Sequence, residues 1–183
     1  AANYVLRDLY VTNVSRGVTM TNAVNIVLEG VEVRGATSRA FDFQGNTRNI
    51  ELRRCVAHGG DVGIYLSSAT NIFINHDAFW QHNNTVYLLN AGVRVENSIL
   101  GSSRSNGVLI SLAALTGLSS DYNGIHAGPL TRVGIIRTSG AMADNLAAWQ
   151  TLSAGRDLFS IPGDPQFADL DQWDFPLKTE QTL

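Results

Sequence analysis

Two short motifs recur down this chain at a nearly fixed interval, and that constrains the fold more than any other feature. Asn3-Tyr4-Val5-Leu6 returns as Asn25-Ile26-Val27-Leu28, Asn49-Ile50-Glu51-Leu52 and Asn71-Ile72-Phe73-Ile74, at spacings of 22, 24 and 22. Gly92-Val93-Arg94-Val95 follows 21 residues later. Between them runs a second unit: Gly17-Val18-Thr19-Met20, Ala40-Phe41-Asp42-Phe43, Gly63-Ile64-Tyr65-Leu66, Thr85-Val86-Tyr87-Leu88 and Gly107-Val108-Leu109-Ile110. In Ile26-Val27-Leu28 and Phe41-Asp42-Phe43 the apolar side chains fall at i and i+2, the period of a strand. Gly, Asn, Ser and Thr separate the units, as tight turns require. A repeat of this size cannot bury its apolar side alone, so successive copies must stack into a solenoid. A leucine-rich repeat is the competing architecture, but its signature is missing and no helix fits within a copy.

Stacked copies place equivalent residues about 4.8 Å apart, the spacing between paired strands. Three columns are expected to face inward: Tyr4, Ile26, Ile50, Ile72, Val93; Leu6, Leu28, Leu52, Ile74, Val95; and Met20, Phe43, Leu66, Leu88, Ile110. Cys55 aligns with Leu9 and Val31, which makes it a buried, inert thiol. Arg7, Glu29, Arg53, Asn75 and Glu96 form an outward ladder of mixed charge. A second outward column, Thr19, Asp42, Tyr65, Tyr87 and Leu109, puts two tyrosines on neighbouring coils, where they are expected to form a flat apolar face. Arg34, His58 and Trp80 form a third.

After Leu118 the pattern breaks. Residues 1–125 read as solenoid coils and 126–183 as an irregular excursion, a short helix and a closing segment of the same domain. Asp144 is the expected N-cap of a helix over Asn145–Leu152, with Leu146, Trp149 and Leu152 on one stripe and Gly155 ending it. Phe167, Phe175 and Leu177 are expected to cover the last coil. At the other end the first strand starts by residue 4. That reads as an uncapped coil, suited to a module of a longer polypeptide or to end-to-end dimerisation.

Composition narrows the partners. Charged residues are 16% of 183, and 13 Lys+Arg against 16 Asp+Glu leave a net charge of −3. That balance argues against a nucleic-acid partner held by phosphate neutralisation. No apolar run is long enough to span a membrane. A single cysteine excludes an internal disulfide framework and multi-thiolate zinc. His58, His76 and His82 match no local ligand spacing, so neither metal nor other cofactor is expected.

The motif columns resemble the right-handed parallel β-helix proteins of the pectate-lyase-like superfamily, over roughly residues 3 to 125. The resemblance implies an all-β, right-handed parallel β-helix of about five to six coils, ending in a short C-terminal helix and closing segment. It leaves activity open among lyases, hydrolases, epimerases and binding modules. The polygalacturonase-like Asn-Thr-Asp, Asp-Asp, Gly-His-Gly and Arg-Ile-Lys set is missing. The one lysine, Lys178, lies in the tail, so no lysine base stands on the coils.

Two functions follow. The first is a non-catalytic carbohydrate-binding module, most like those of polysaccharide-degrading enzymes, that holds plant cell-wall polysaccharide and targets an attached glycoside hydrolase in the same longer chain. A neutral xylan-type ligand is the first expectation, from the few basic residues. Its candidate contacts are Tyr65, Tyr87, Trp80, His58, Asp42 and Arg34, because amphipathic rings flanked by polar groups suit sugars. The second is a lyase or hydrolase acting on an acidic polysaccharide, with Arg54 or His76 as base and Asp77 or Asp61 assisting. Either work places the protein outside the cell or in a periplasm.

Overall fold

The computed structural model describes residues 4–102 and 104–164, together with the backbone of 167–169 and 174–177. Six coils follow one another. The first is β1 (Tyr4–Arg7), β2 (Tyr10–Thr12) and β3 (Arg16–Thr21). The next three each pair a short strand with a long bent one: β4 (Val24–Glu29) with β5 (Glu32–Gln44), β6 (Arg48–Arg53) with β7 (Val56–Ser67), and β8 (Thr70–Asn75) with β9 (Ala78–Leu89). The fifth is β10 (Val93–Glu96), β11 (Ile99–Ser102) and β12 (Val108–Leu112). The sixth, β13 (Leu118–Asp121), β14 (Gly124–Ala127) and β15 (Arg132–Ile136), carries the coils beyond residue 125.

Every strand from one coil to the next pairs in parallel. One face is the sheet β1-β4-β6-β8-β10-β13. The first halves of β5, β7 and β9 continue β2 on one side and β11 and β14 on the other. Their second halves continue β3 and run on into β12 and β15. This is a parallel β-helix, as the repeat implied. The first two inward ladders stack as read, Tyr4 on Ile26 on Ile50 on Ile72 on Val93, and Leu6 on Leu28 on Leu52 on Ile74 on Val95. Leu28, Leu52 and Ile74 are fully buried, as is Cys55.

The register corrects the last copy of the second motif by two residues. Ile110 lies opposite Val86 and Leu112 opposite Leu88, so Leu112 ends the third inward ladder. Leu109 is fully buried instead of outward, and Ser111 takes the place beside Tyr87. The cause is the connection between β11 and β12, which is longer than the bend inside β9 and delays the strand.

One turn recurs in each coil with a left-handed residue: Asp8, Gly30, Arg54, His76, Asn97 and Tyr122 all have φ between 50° and 63°. A non-glycine there costs roughly 1–2 kcal/mol. Because all six coils share it, the strain at Arg54 and His76 belongs to the turn and does not by itself mark a functional site. Asn25, Asn49 and Asn71 form a second polar ladder, each amide donating to the previous side-chain oxygen at 2.8 and 2.7 Å.

The C-terminal end is closed. β16 (Ala141–Ala143) pairs antiparallel with β15, which stops the parallel stack. The helix α1 (Leu146–Leu152) then buries Leu146 and Trp149 over the coil. Its N-cap is Asn145, not Asp144: the Asn145 carboxamide accepts from Ala148 N at 2.9 Å, while Asp144 turns to Arg132 at 3.2 Å. The Gly155 N–H returns to the Gln150 carbonyl at 2.9 Å and ends the helix. Asp157 is fully buried and accepts from Trp149 Nε1, Ser120 Oγ, Ser160 Oγ and Asn123 Nδ2 at 2.8–3.2 Å. The strand β17 (Ile161–Pro162) joins β14, and β18 (Phe167–Asp169) pairs antiparallel with β19 (Asp174–Leu177). The expected covering by Phe167, Phe175 and Leu177 concerns side chains outside those described. At the opposite end Tyr4, Val5, Leu6, Leu9 and Tyr10 of the first coil are all exposed.

Close coil spacing decides which glycines can be replaced. A Cβ on Gly60 (φ +114°) would stand 2.0 Å from the Ala36 carbonyl oxygen, whereas one on Gly35 (φ +61°) meets nothing within 4 Å. Gly35→Ala should therefore cost only the left-handed penalty, about 1–2 kcal/mol. Gly60→Ala should cost more than that, because backbone must also move; parallel urea unfolding of the two variants measures the difference.

Candidate functional site

Tyr65 and Tyr87 share one outward column because their neighbours Ile64, Leu66, Val86 and Leu88 fill the interior. The rings stack at 5.4 Å with planes 20° apart. Since the coils also repeat along that direction, the ring normals follow the solenoid axis and the rings stand on edge. The expected flat apolar face is therefore not formed. Arg39 lies 3.5 Å over the free face of Tyr65, and Arg137 lies 5.0 Å from the Tyr87 centroid. What reaches solvent is a ridge of ring edges and phenolic hydroxyls, held rigid by stacking and by a guanidinium at each end.

Asp42 continues this column but is fully buried, which removes it from the candidate contacts. Arg39 Nη1 donates to both its oxygens at 3.1 Å, Gln44 Nε2 donates at 2.8 Å, and Arg16 pairs at 3.2 Å. Its role is to position Arg39 against Tyr65. Arg39 and Arg137 were not legible as part of the ridge, because neither belongs to the repeated motif.

The column Arg34, His58 and Trp80 is also in register, and it continues through Gly101 to His126. Trp80 is only 2% exposed, so it is not the surface aromatic that its outward parity implied. Gly101 leaves a gap that the indole fills: a Cβ there would lie 2.0 Å from Trp80 Cζ3. Across the gap Trp80 stacks on His126 at 5.2 Å. A glycine at an outward position beside a tryptophan is the sequence signal for this covering. Arg34 is held by Glu32 and lies 5.3 Å from the Tyr10 centroid. Burial, then the charges of Arg104 and Arg34, push the half-buried His58 down to about 4. Burial likewise holds the enclosed His82 down to about 3.

Arg54, His76 and Asp77 line one open groove of about 310 Å³. Asp61 does not join them: it lies seven residues beyond Arg54, past the bend of β7, where it accepts from Asn83 Nδ2 at 3.1 Å. Arg54 pairs with Glu29 at 2.6 Å, and Arg7 holds the other Glu29 oxygen at 2.8 Å. Asp77 sits above Cys55 in the turn column and is 3% exposed. Its two oxygens accept the backbone N–H groups of Cys55 and Asn75 at 2.5 and 2.9 Å. Burial still outweighs these bonds and raises its carboxyl to about 7, while burial and the nearby Asp77 push the Cys55 thiol up to about 12. Among the described residues no three His, Cys, Asp or Glu side chains converge as a metal site. No helix among them is long and apolar enough to cross a membrane.

These groups give acid sensitivity a definite sign. His58 and His82 bind protons more weakly folded than unfolded, so their contribution is complete above about 6.5 and is lost as pH falls toward 4 and 3. Asp77 works oppositely: its proton is held more tightly folded, so its contribution is lost as pH rises from about 3.8 to 7. Between pH 4 and 6.5 two protons gained by the unfolded histidines oppose one retained by folded Asp77. Stability should fall on acidification by about 1.4 kcal/mol per pH unit. His82→Gln should flatten that slope and Asp77→Asn should steepen it, as read from urea midpoints across the window.

Residues 1–146 match the family described as the right handed beta helix region. Searches of curated proteins and of solved structures return no match. The family is compatible with polysaccharide-related work. With six in-register coils and a match over most of its length, the chain belongs to the right-handed β-helix family.

Proposed function

We propose that this protein is a non-catalytic carbohydrate-binding module, secreted, that holds plant cell-wall polysaccharide for an attached glycoside hydrolase. The observation that carries the reading is the Tyr65–Tyr87 ridge, half-buried and fixed on both sides by Arg39 and Arg137. Rigid tyrosines supply amphipathic contact area at little cost in side-chain entropy. Because their faces are occupied, a sugar chain meets ring edges and hydroxyls, with hydrogen bonds weighing more than stacking. Arg16 and Arg39 beside the ridge are both engaged by the Asp42 carboxylate, so neither is free to hold a charged sugar, which supports a neutral, xylan-type chain there. The acids nearest the candidate catalytic positions are committed elsewhere: Glu29 to two arginines and Asp77 to two backbone N–H groups.

One observation favours a second reading as a lyase on acidic polysaccharide. Arg54 and His76 share a groove with a carboxyl raised to about 7, a value suited to proton transfer near neutrality. Formation of an unsaturated, ultraviolet-absorbing product from pectin or alginate would establish it.

For the primary reading, affinity electrophoresis against a polysaccharide panel should show retardation by xylan. Tyr87→Ala should weaken that binding by roughly tenfold, the scale of losing a central aromatic anchor. The variant should keep its fold, because the ring lies outside the core. Equal retardation of the variant and the parent protein would remove the ridge from the binding surface.

A further inference from the structure

Two Asn-Gly pairs occur in the sequence, Asn106-Gly107 and Asn123-Gly124. In this dipeptide the second residue has no side chain to hinder its backbone nitrogen from approaching the asparagine carboxamide. The fold treats the two pairs oppositely. Asn123 is 1% exposed, and both ends of its carboxamide are bonded. Its Oδ1 accepts from Ser98 N at 3.0 Å, and its Nδ2 donates to the Val95 carbonyl, Ser120 Oγ and Asp157 at 3.0, 3.1 and 3.2 Å. The Gly124 N–H is bound to the Ser98 carbonyl at 2.9 Å within the parallel stack. Asn106, by contrast, is exposed in the β11–β12 connection, and no described residue bonds its carboxamide. The Gly107 N–H donates to the Arg104 carbonyl at 3.1 Å, closing a turn in which Arg104, Ser105 and Asn106 are all exposed. A bond so placed opens locally, without unfolding of the coils. The turn is tied to the sixth coil on either side: the Asn106 N–H donates to the Leu130 carbonyl at 3.0 Å, and the Gly107 carbonyl accepts from Arg132 N at 2.8 Å.

We infer that Asn106 is a modification site, where the chain deamidates spontaneously, and that the fold protects Asn123 although it stands in the same dipeptide. The Gly107 nitrogen, giving up its proton to solvent base, attacks Asn106 Cγ. The new N–Cγ bond closes a five-membered succinimide while the Cγ–Nδ2 bond breaks and ammonia leaves. Water then opens the ring at either carbonyl and leaves an aspartyl or an isoaspartyl link at position 106. The only co-reactant is water. Either product adds one negative charge to a chain whose net charge is −3. The isoaspartyl link also inserts one carbon into the backbone between the Asn106 N–H and the Gly107 carbonyl. Those are the two groups that tie this connection to Leu130 and Arg132, so the tie must loosen. None of this depends on what the solenoid binds.

The test is to hold the full chain in mildly alkaline buffer, with and without urea, and to follow both Asn-Gly peptides by mass spectrometry and isoaspartyl-specific methylation. In the folded chain the Asn106 peptide should convert about tenfold faster than the Asn123 peptide, or more, and faster still as pH rises. In urea the two rates should become similar, because only the fold distinguishes the sites. Asn106→Gln should abolish the acidic species that accumulates on ion exchange, since a glutamine would have to close a larger ring. That position is exposed, so the variant should fold as the parent does. Deuterium uptake at the Arg132 N–H should be faster in the isoaspartyl form. Equal conversion of the two asparagines in the folded chain, or an Asn106 that stays intact there while both convert in urea, would overturn the site. Unchanged uptake at Arg132 would overturn the loosening.

Discussion

The structure depends on in-register parallel pairing of one coil on the next. Every residue then stands about 4.8 Å from its equivalents in the adjacent coils, and whatever one copy carries must be compatible with itself. Branched aliphatics satisfy this inside, as Ile26, Ile50 and Ile72 do. Asparagine satisfies it at the edge of the first sheet, because its amide both donates and accepts along Asn25, Asn49 and Asn71. Like charges do not, and most of the arginines are accordingly bound to acids, several of them within their own strand, as in Arg53 with Glu51 and Arg94 with Glu96.

The same constraint decides what the surface can offer a ligand. Aromatics repeated at one position pack face to face along the axis, so stacking consumes the faces that a sugar would otherwise meet. The Tyr65–Tyr87 pair is one case and Tyr122 with Phe159, 5.4 Å apart, is another. Trp80 goes further and lies over Gly101. A side chain without a matching neighbour, such as Arg104 in the longer β11–β12 connection, stays exposed instead.

Several polar groups inside the stack find a partner in the next coil. The turn column above Cys55 shows how. The Asp77 N–H donates to Ser98 Oγ at 3.2 Å, the Ser98 N–H donates to Asn123 Oδ1 at 3.0 Å, and Asn123 Nδ2 donates to Asp157 at the closed end. Asp157 also receives the Trp149 indole, so the cap is joined to the polar column as well as to the apolar core. A carboxylate that looked catalytic by type is, at Asp77, part of this chain of bonds.

The strand period, the coil-sized repeat and the two first inward ladders were legible in the sequence, because burial acts on each copy alike and leaves the same apolar mark each time. So were the buried Cys55, the outward parity of Tyr65 and Tyr87, and the neighbouring places of Arg54 and His76. The two-residue shift at Leu109 was not, since the length of the β11–β12 connection is absorbed in space rather than in the motif. Nor was the burial of Asp42 and Trp80, which comes from side chains outside the repeat, Arg16, Arg39 and Gln44 around one and His126 beside the other. Periodicity determined which way side chains point in the copies that keep the repeat spacing; only the packed coils decided what lies over them, because covering depends on the size and charge of residues on adjacent coils some twenty or more positions away.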